Sequence, residues 1–200
     1  MKTRLVGNDL WPWRDKICRK VAYNFSGCDL AISNCGKRDL VIQAGGCVGV
    51  WPRYLRTIFS RVLTFEPSEE NFTLMVQNLG DLSIEKHLAA LGEKEGLCGV
   101  KQNPRNCGDD RTIPGTEIPV IAIDDLGLNP DLIYLDIQGD EYPALLGARE
   151  TLSRCSPVIG IEYDTHCACR QDIDAREWIK EQGYTQVGLY RQDWIYARLT

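Results

Sequence analysis

Short apolar runs and helix-spaced apolar stripes alternate almost throughout this chain. Residues 40–43 read as a short buried strand. Beyond it Trp51, Tyr54, Leu55, Ile58 and Val62 recur at intervals of three and four, which predicts a helix, with Pro52 near the first helical position where its missing N–H costs little. Residues 62–65 form a second strand, and Pro67-Ser68-Glu69-Glu70 then opens a helix whose stripe is Phe72, Met75, Val76 and Leu79, with acids in its first turn. Further strands are predicted at 84–90, 120–123, 132–137 and 158–163, with a helix over 141–153 between the last two. A helix over 172–182 closes at Gly183, and residues 186–190 and 194–199 read as a final hairpin around Arg191-Gln192-Asp193.

This alternation predicts an α/β sandwich with a mostly parallel sheet and an antiparallel element at the C-terminal end. A chain of 200 residues, 44% hydrophobic and 26% charged, suffices for one domain with a large core. Residues 1–38 are expected to be a helical segment packing on that core, with a helix over 15–23, and 39–200 the main domain. Residues 92–117 are rich in glycine and asparagine and long for a loop, so they are expected to shape a binding site, with a short edge strand near 97–101.

Candidate chemistry gathers where strands end. After the first core strand comes Gln43-Ala44-Gly45-Gly46-Cys47-Val48-Gly49, and the next strand stops on Glu66. Gly45 and Gly49 let the backbone turn sharply beside a ligand, and Glu66 can accept hydrogen bonds from both hydroxyls of a ribose. S-adenosylmethionine and NAD both satisfy this half-site. The dinucleotide fingerprint G-x-G-x-x-G is not met, so a cofactor without a pyrophosphate is favoured. Asp136 and Glu162 end two more strands, and ligands in such sheets sit beyond the carboxyl ends.

The net charge of −5 offers no basic field for nucleic acid, so no nucleic-acid partner is expected. No apolar run approaches a membrane span and the first residues lack the apolar stretch of a signal peptide, which predicts a cytoplasmic protein. Nine cysteines at positions 18, 28, 35, 47, 98, 107, 155, 167 and 169 do not resemble a disulfide framework, and reduced thiols are expected. His166-Cys167-Ala168-Cys169 offers soft ligands, but no C-x-x-C pair accompanies it, and no metal site is assigned from spacing.

Taken together, the turn 43–49, the strand end Phe65-Glu66-Pro67, the run 89–96, Ile123-Asp124-Asp125-Leu126, Leu135-Asp136-Ile137-Gln138-Gly139-Asp140-Glu141, Leu145-Leu146-Gly147-Ala148 and Pro157-Val158-Ile159-Gly160-Ile161-Glu162 resemble the FkbM family of S-adenosylmethionine-dependent methyltransferases. The resemblance spans about residues 38 to 165. It implies the Rossmann-like class I methyltransferase fold, a seven-stranded sheet with its last strand antiparallel, and methyl transfer to an oxygen of a small molecule or sugar. Carried over by position, Gly45, Cys47 and Gly49 wrap the methionine end of the cofactor, Glu66 holds its ribose, and Asp136 sits where cofactor and acceptor meet. Gln43 stands where the family places an acid, so its amide oxygen would accept from the cofactor's ammonium group without charge assistance.

A hydroxyl acceptor barely ionises at neutral pH and needs a base, for which Asp136, Glu141, Glu162 and His166 are the candidates. Asp136 and Glu141 are alternatively ligands for Mg²⁺ polarising the acceptor. Two other readings stay open at this point: a nicotinamide-dependent oxidoreductase, which Glu66 alone permits, and a non-catalytic binding or assembly protein, which Gln43 and Cys47 permit.

Overall fold

The computed structural model describes residues 1–162 and 170–199. Its core is a seven-stranded sheet. Strands β3 (Leu40–Ala44), β4 (Arg61–Phe65), β5 (Glu85–His87), β9 (Leu132–Leu135), β10 (Val158–Glu162), β11 (Thr185–Tyr190) and β12 (Asp193–Ala197) lie in the order β11-β12-β10-β9-β3-β4-β5. All neighbours pair in parallel except β12, which runs antiparallel to both β10 and β11. This is the sheet that the resemblance implies.

Strand alternation divides the core into two layers. Ile42, Ala44, Leu63, Phe65, Ile133 and Ile159 face one side with helices α5 (Glu141–Leu146), α6 (Arg149–Cys155) and α7 (Arg170–Glu181). Val41, Val62, Leu132, Tyr134, Val158 and Ile195 face the other with α2 (Ser26–Ser33), α3 (Val50–Arg56) and α4 (Glu69–Leu79). Successive side chains point to opposite faces of a pleated strand, so an all-apolar run of this kind needs cover on both sides.

Several boundaries differ from those predicted. The helix expected over 141–153 is two helices, broken at Gly147, where a Cβ would stand 2.1 Å from the carbonyl oxygen of Gly92. The strand expected over 84–90 is β5 followed by a separate β6 (Ala90–Leu91). Strand β6 belongs to a second, three-stranded sheet with β7 (Gly96–Lys101) and β8 (Arg111–Ile121), in the order β6-β8-β7. The residues expected as a strand over 120–123 are therefore partly the end of β8, outside the main sheet. Most of the segment expected as a loop over 92–117 is this β7–β8 hairpin.

Residues 1–38 combine a hairpin with two short helices, the second being α2. They open with an antiparallel hairpin, β1 (Thr3–Val6) and β2 (Asp9–Pro12), and the helix expected over 15–23 is the single turn α1 (Cys18–Val21). Trp11 is fully buried beside Val48, Val50, Leu74 and Cys107. The Asn78 side chain of α4 holds β2 like a further strand, accepting from the amide of Leu10 at 2.8 Å and donating to its carbonyl at 2.9 Å. Arg14 reaches Glu70 at 2.7 Å and Asp110 at 2.6 Å, so the segment is tied to α4 and to the β7–β8 excursion as well. No helix among the described residues is long and apolar enough to cross a membrane.

Candidate functional site

Strands β3, β4, β9 and β10 end on a common cavity of about 340 Å³, within the roughly 300–1,000 Å³ typical of small-molecule sites. The glycine turn forms its floor. Gly45 has φ +86°, and a Cβ there would stand 2.0 Å from the carbonyl oxygen of Asp136, so only glycine lets the ends of β3 and β9 approach this closely. Gly49 turns the chain into α3 with φ +95°, and Cys47 between them holds a left-handed φ of +45° that a side chain seldom adopts. Above the turn, Trp11, Ala22 and Asn24 of the N-terminal segment and Asn106, Cys107 and Thr112 of the β7–β8 excursion complete the walls.

Acids dominate this lining. Glu66, Asp110, Asp136, Asp140, Glu162 and Asp193 all reach it, against one cationic residue, Arg191, among the described residues. Glu66 is 4% exposed. Its carboxylate accepts from the amides of Cys47 at 2.7 Å and Ser68 at 2.8 Å, one on each oxygen. Burial outweighs these bonds and pushes its pKa up to about 7.

Asp136 and Glu162 form a bridged pair. The Gln138 side-chain amide donates to Asp136 and to Glu162, each at 2.8 Å, and Gln138 takes a left-handed φ of +58°. The nearby charge of Asp136, reinforced by burial, raises Glu162 to about 11. At neutral pH the pair holds a proton and carries at most one negative charge. Beside it, Asp193 accepts from the Tyr134 hydroxyl at 2.8 Å, and burial raises it to about 6. Burial also raises Asp140, whose carboxylate accepts from the Thr112 hydroxyl of β8.

The site residues expected from sequence divide into three groups. Gly45, Cys47, Glu66, Asp136 and Glu162 line the cavity, and Gly49 shapes the turn beneath it. Gln43 and Glu141 do not reach it. Gln43 shares the face of Val41, so its side chain enters the layer of α3 and α4, accepting from the Thr64 hydroxyl at 2.5 Å and donating to the Ala44 carbonyl at 3.0 Å. That placement corrects the expectation that its amide oxygen meets the cofactor. Glu141, 2% exposed, accepts from the amides of Ile137 and Gly139, each at 2.9 Å. It braces the turn carrying Gln138 and corrects two expectations, a base at position 141 and an Asp136–Glu141 pair for Mg²⁺. The third group is His166, which lies outside the described residues.

Residues not singled out from sequence also meet here. Asp140, inside the 135–141 motif but given no role there, precedes α5, and Asp193 opens β12. Cys18, Cys47 and Cys107 bring their sulfurs within 4.8 Å of one another. The Cys47–Cys107 separation is 3.6 Å and the Cys18–Cys47 separation 4.0 Å. Hydrogen bonds from the other two thiols lower Cys18 to about 5, while Cys47 and Cys107 are raised. The seven cysteines among the described residues are free thiols.

Comparison with known proteins identifies the architecture. Residues 35–185 match the family profile described as Methyltransferase FkbM domain. Among solved structures, an FkbM methyltransferase from Methylobacillus flagellatus is 22% identical, with a TM-score of 0.53 over 93% of this chain and 47% of its own, so this chain spans about half the length of that protein. An rRNA methylase from Streptococcus thermophilus is 14% identical, with a TM-score of 0.54 over 86% and 93%. A TehB-like SAM-dependent methyltransferase from Corynebacterium glutamicum is 13% identical, with a TM-score of 0.51 over 90% and 91%. No curated protein matches the chain. At these identities the structural likenesses show the fold, which is the Rossmann-like class I methyltransferase fold.

Proposed function

The chain belongs to the FkbM methyltransferase family, and from that premise we propose that it moves a methyl group from S-adenosylmethionine to a hydroxyl oxygen of a small molecule, such as a sugar. The observation that carries this reading is the acidic cavity at the strand ends. The cofactor brings a sulfonium and an ammonium against one carboxylate, a net positive charge that an acidic lining favours. When bound, it supplies a methyl group already activated for displacement.

The residues then divide the work. Glu66 accepts a backbone amide on each oxygen and is also paired with the Asn71 side chain, and its remaining acceptor capacity serves the ribose hydroxyls. The turn at Gly45 and Gly46 exposes backbone at the methionine end, with Cys47 beside it. Asp136 takes the proton from the acceptor hydroxyl, and the proton already held by the Asp136–Glu162 pair limits the charge that must be buried there. General base help of this kind contributes roughly 10²- to 10⁴-fold. Gln138 keeps the two carboxyl groups in register.

An RNA acceptor is disfavoured, although the fold is shared with an rRNA methylase. A polyphosphate backbone binds through basic side chains, and among the described residues six acids line this cavity against one arginine.

Incubating the protein with radiolabelled S-adenosylmethionine and a panel of hydroxylated small molecules, with RNA in a parallel arm, tests the proposal. The expected result is label in a small-molecule product as an O-methyl ether, reduced at least about 100-fold in Asp136→Asn. Label confined to RNA, or to nitrogen, would overturn it.

A further inference from the structure

We propose that Cys18, Cys47 and Cys107 form a three-thiolate site for a thiophilic divalent cation of the zinc class, with the fourth coordination position open to the cavity. The inference does not rest on methyl transfer. It rests on where three sulfurs from distant parts of the chain are brought together.

The spacing suits such a cation. A tetrahedral ion with bonds of about 2.3 Å to sulfur separates its ligands by about 3.8 Å. The observed separations of 3.6 and 4.0 Å bracket that value, and the third pair lies within 4.8 Å. All three cysteines line the cavity, so a fourth ligand, a water or an oxygen of a bound molecule, would approach from there. Three protein ligands and one open position are the pattern of zinc sites that take part in chemistry.

The surroundings hold the three sulfurs in place. Asp15 is fully buried, and one of its oxygens accepts from the amides of both Cys18, at 3.1 Å, and Cys107, at 3.2 Å, clamping two ligand-bearing segments together. Asn71 donates to the Cys107 carbonyl at 2.8 Å. Glu66 accepts from the Cys47 amide at 2.7 Å. Gly108 leaves room for the Cys18 sulfur, which a Cβ there would meet at 2.8 Å. Outer contacts that orient ligands in this way are characteristic of built metal sites.

The ligands come from α1, the glycine turn and the β7–β8 excursion, the three segments that wall the cavity. A bound cation therefore fastens the cavity together. The metal binds thiolates, so any of the three thiols still protonated gives up its proton to solvent, and the loaded cluster carries one net negative charge from three thiolates and a divalent ion.

The test is an anaerobic titration of the reduced, chelator-stripped full chain with Co²⁺, followed by Zn²⁺. We expect one Co²⁺ per chain, a thiolate-to-cobalt charge-transfer band with the visible bands of tetrahedral cobalt, and displacement by one Zn²⁺. Cys18→Ala, on the short and half-buried α1, is expected to weaken binding by more than the roughly 10- to 100-fold loss that follows from altering an outer partner alone. Cys28→Ala, buried in a different layer of the core, keeps wild-type binding, and circular dichroism of the metal-free variants confirms folding. Absence of the charge-transfer band in the reduced wild type would overturn the proposal. So would a band undiminished in Cys18→Ala, or a Cys47–Cys107 disulfide in protein isolated with zinc supplied, which would make the cluster a redox pair.

Discussion

Glu66, Asp193 and Glu162 each have a pKa raised by their folded surroundings, to about 7, 6 and 11. The folded state therefore binds protons more tightly than the unfolded chain. The stability linked to these groups is fully present below the ordinary carboxylate range and is lost as pH rises through each raised value. The ligand-free protein should thus melt at a lower temperature near pH 8 than near pH 5, and Glu162→Gln should narrow the difference by stabilising it at about pH 8. Thermal melts across pH check this, and an unchanged pH dependence in Glu162→Gln would contradict it. The acids at strand ends were legible in the sequence, because a parallel sheet offers its carboxyl ends to ligands. Their orientation was not. Gln43 sits one residue before Ala44 and so faces the opposite layer, and Glu141 spends both oxygens on the backbone of the turn before it. The cysteine cluster left no trace in spacing, since its members are 29 and 60 residues apart and on separate segments.

The strands and helices that build the main sheet were readable for a physical reason. Each must bury an apolar run or stripe, and β3, β4, β9 and β10 do so on both faces. The elements that escaped prediction have weaker signatures. Strand β8 contains Pro114, Gly115 and Pro119 and is half exposed; residues 114–117 lie unpaired in an irregularity between its two paired runs. Helix α2 carries Gly27 in its first turn, where a Cβ would meet the Asp193 carboxylate at 2.0 Å, so the residue that lowers its helical signal is required by packing beneath the site. Two glycines with positive φ, Gly45 in the β3–α3 turn and Gly127 just after the 3-10 turn Asp124–Leu126, supply a quantitative contrast. Gly127→Ala, at φ +63° with open space around it, should cost about 1–2 kcal/mol. Gly45→Ala adds a collision with the Asp136 backbone that no side-chain movement relieves, and should cost more than about 3 kcal/mol. Denaturant midpoints measure both; equal losses would show that the β3–β9 approach is looser than described.

The same sheet hosts many chemistries, so fold alone assigns no acceptor. In this protein three parts meet at one cavity. The main sheet supplies the strand ends, the N-terminal hairpin and α1 supply one wall, and the β7–β8 excursion supplies another. Arg14, Asp15 and Asn78 bind these parts to each other through side chains that are wholly or mostly buried. The expectation that residues 1–38 and 92–117 shape the pocket came from their position outside the matched motifs; the hairpins within them could not be read, because neither β1–β2 nor β7–β8 shows a regular alternation of buried and exposed positions.

Calorimetric titration with S-adenosylmethionine, its demethylated product and NAD addresses the proposal that this acidic cavity takes a methionine-derived cofactor. Binding of both methionine-derived ligands at one per chain is expected, with no NAD binding. Glu66→Ala, shown to be folded, should weaken that binding by roughly 10- to 100-fold through loss of the charged ribose partner. Binding of NAD in their place, or affinity for S-adenosylmethionine that is unchanged in folded Glu66→Ala, would contradict it.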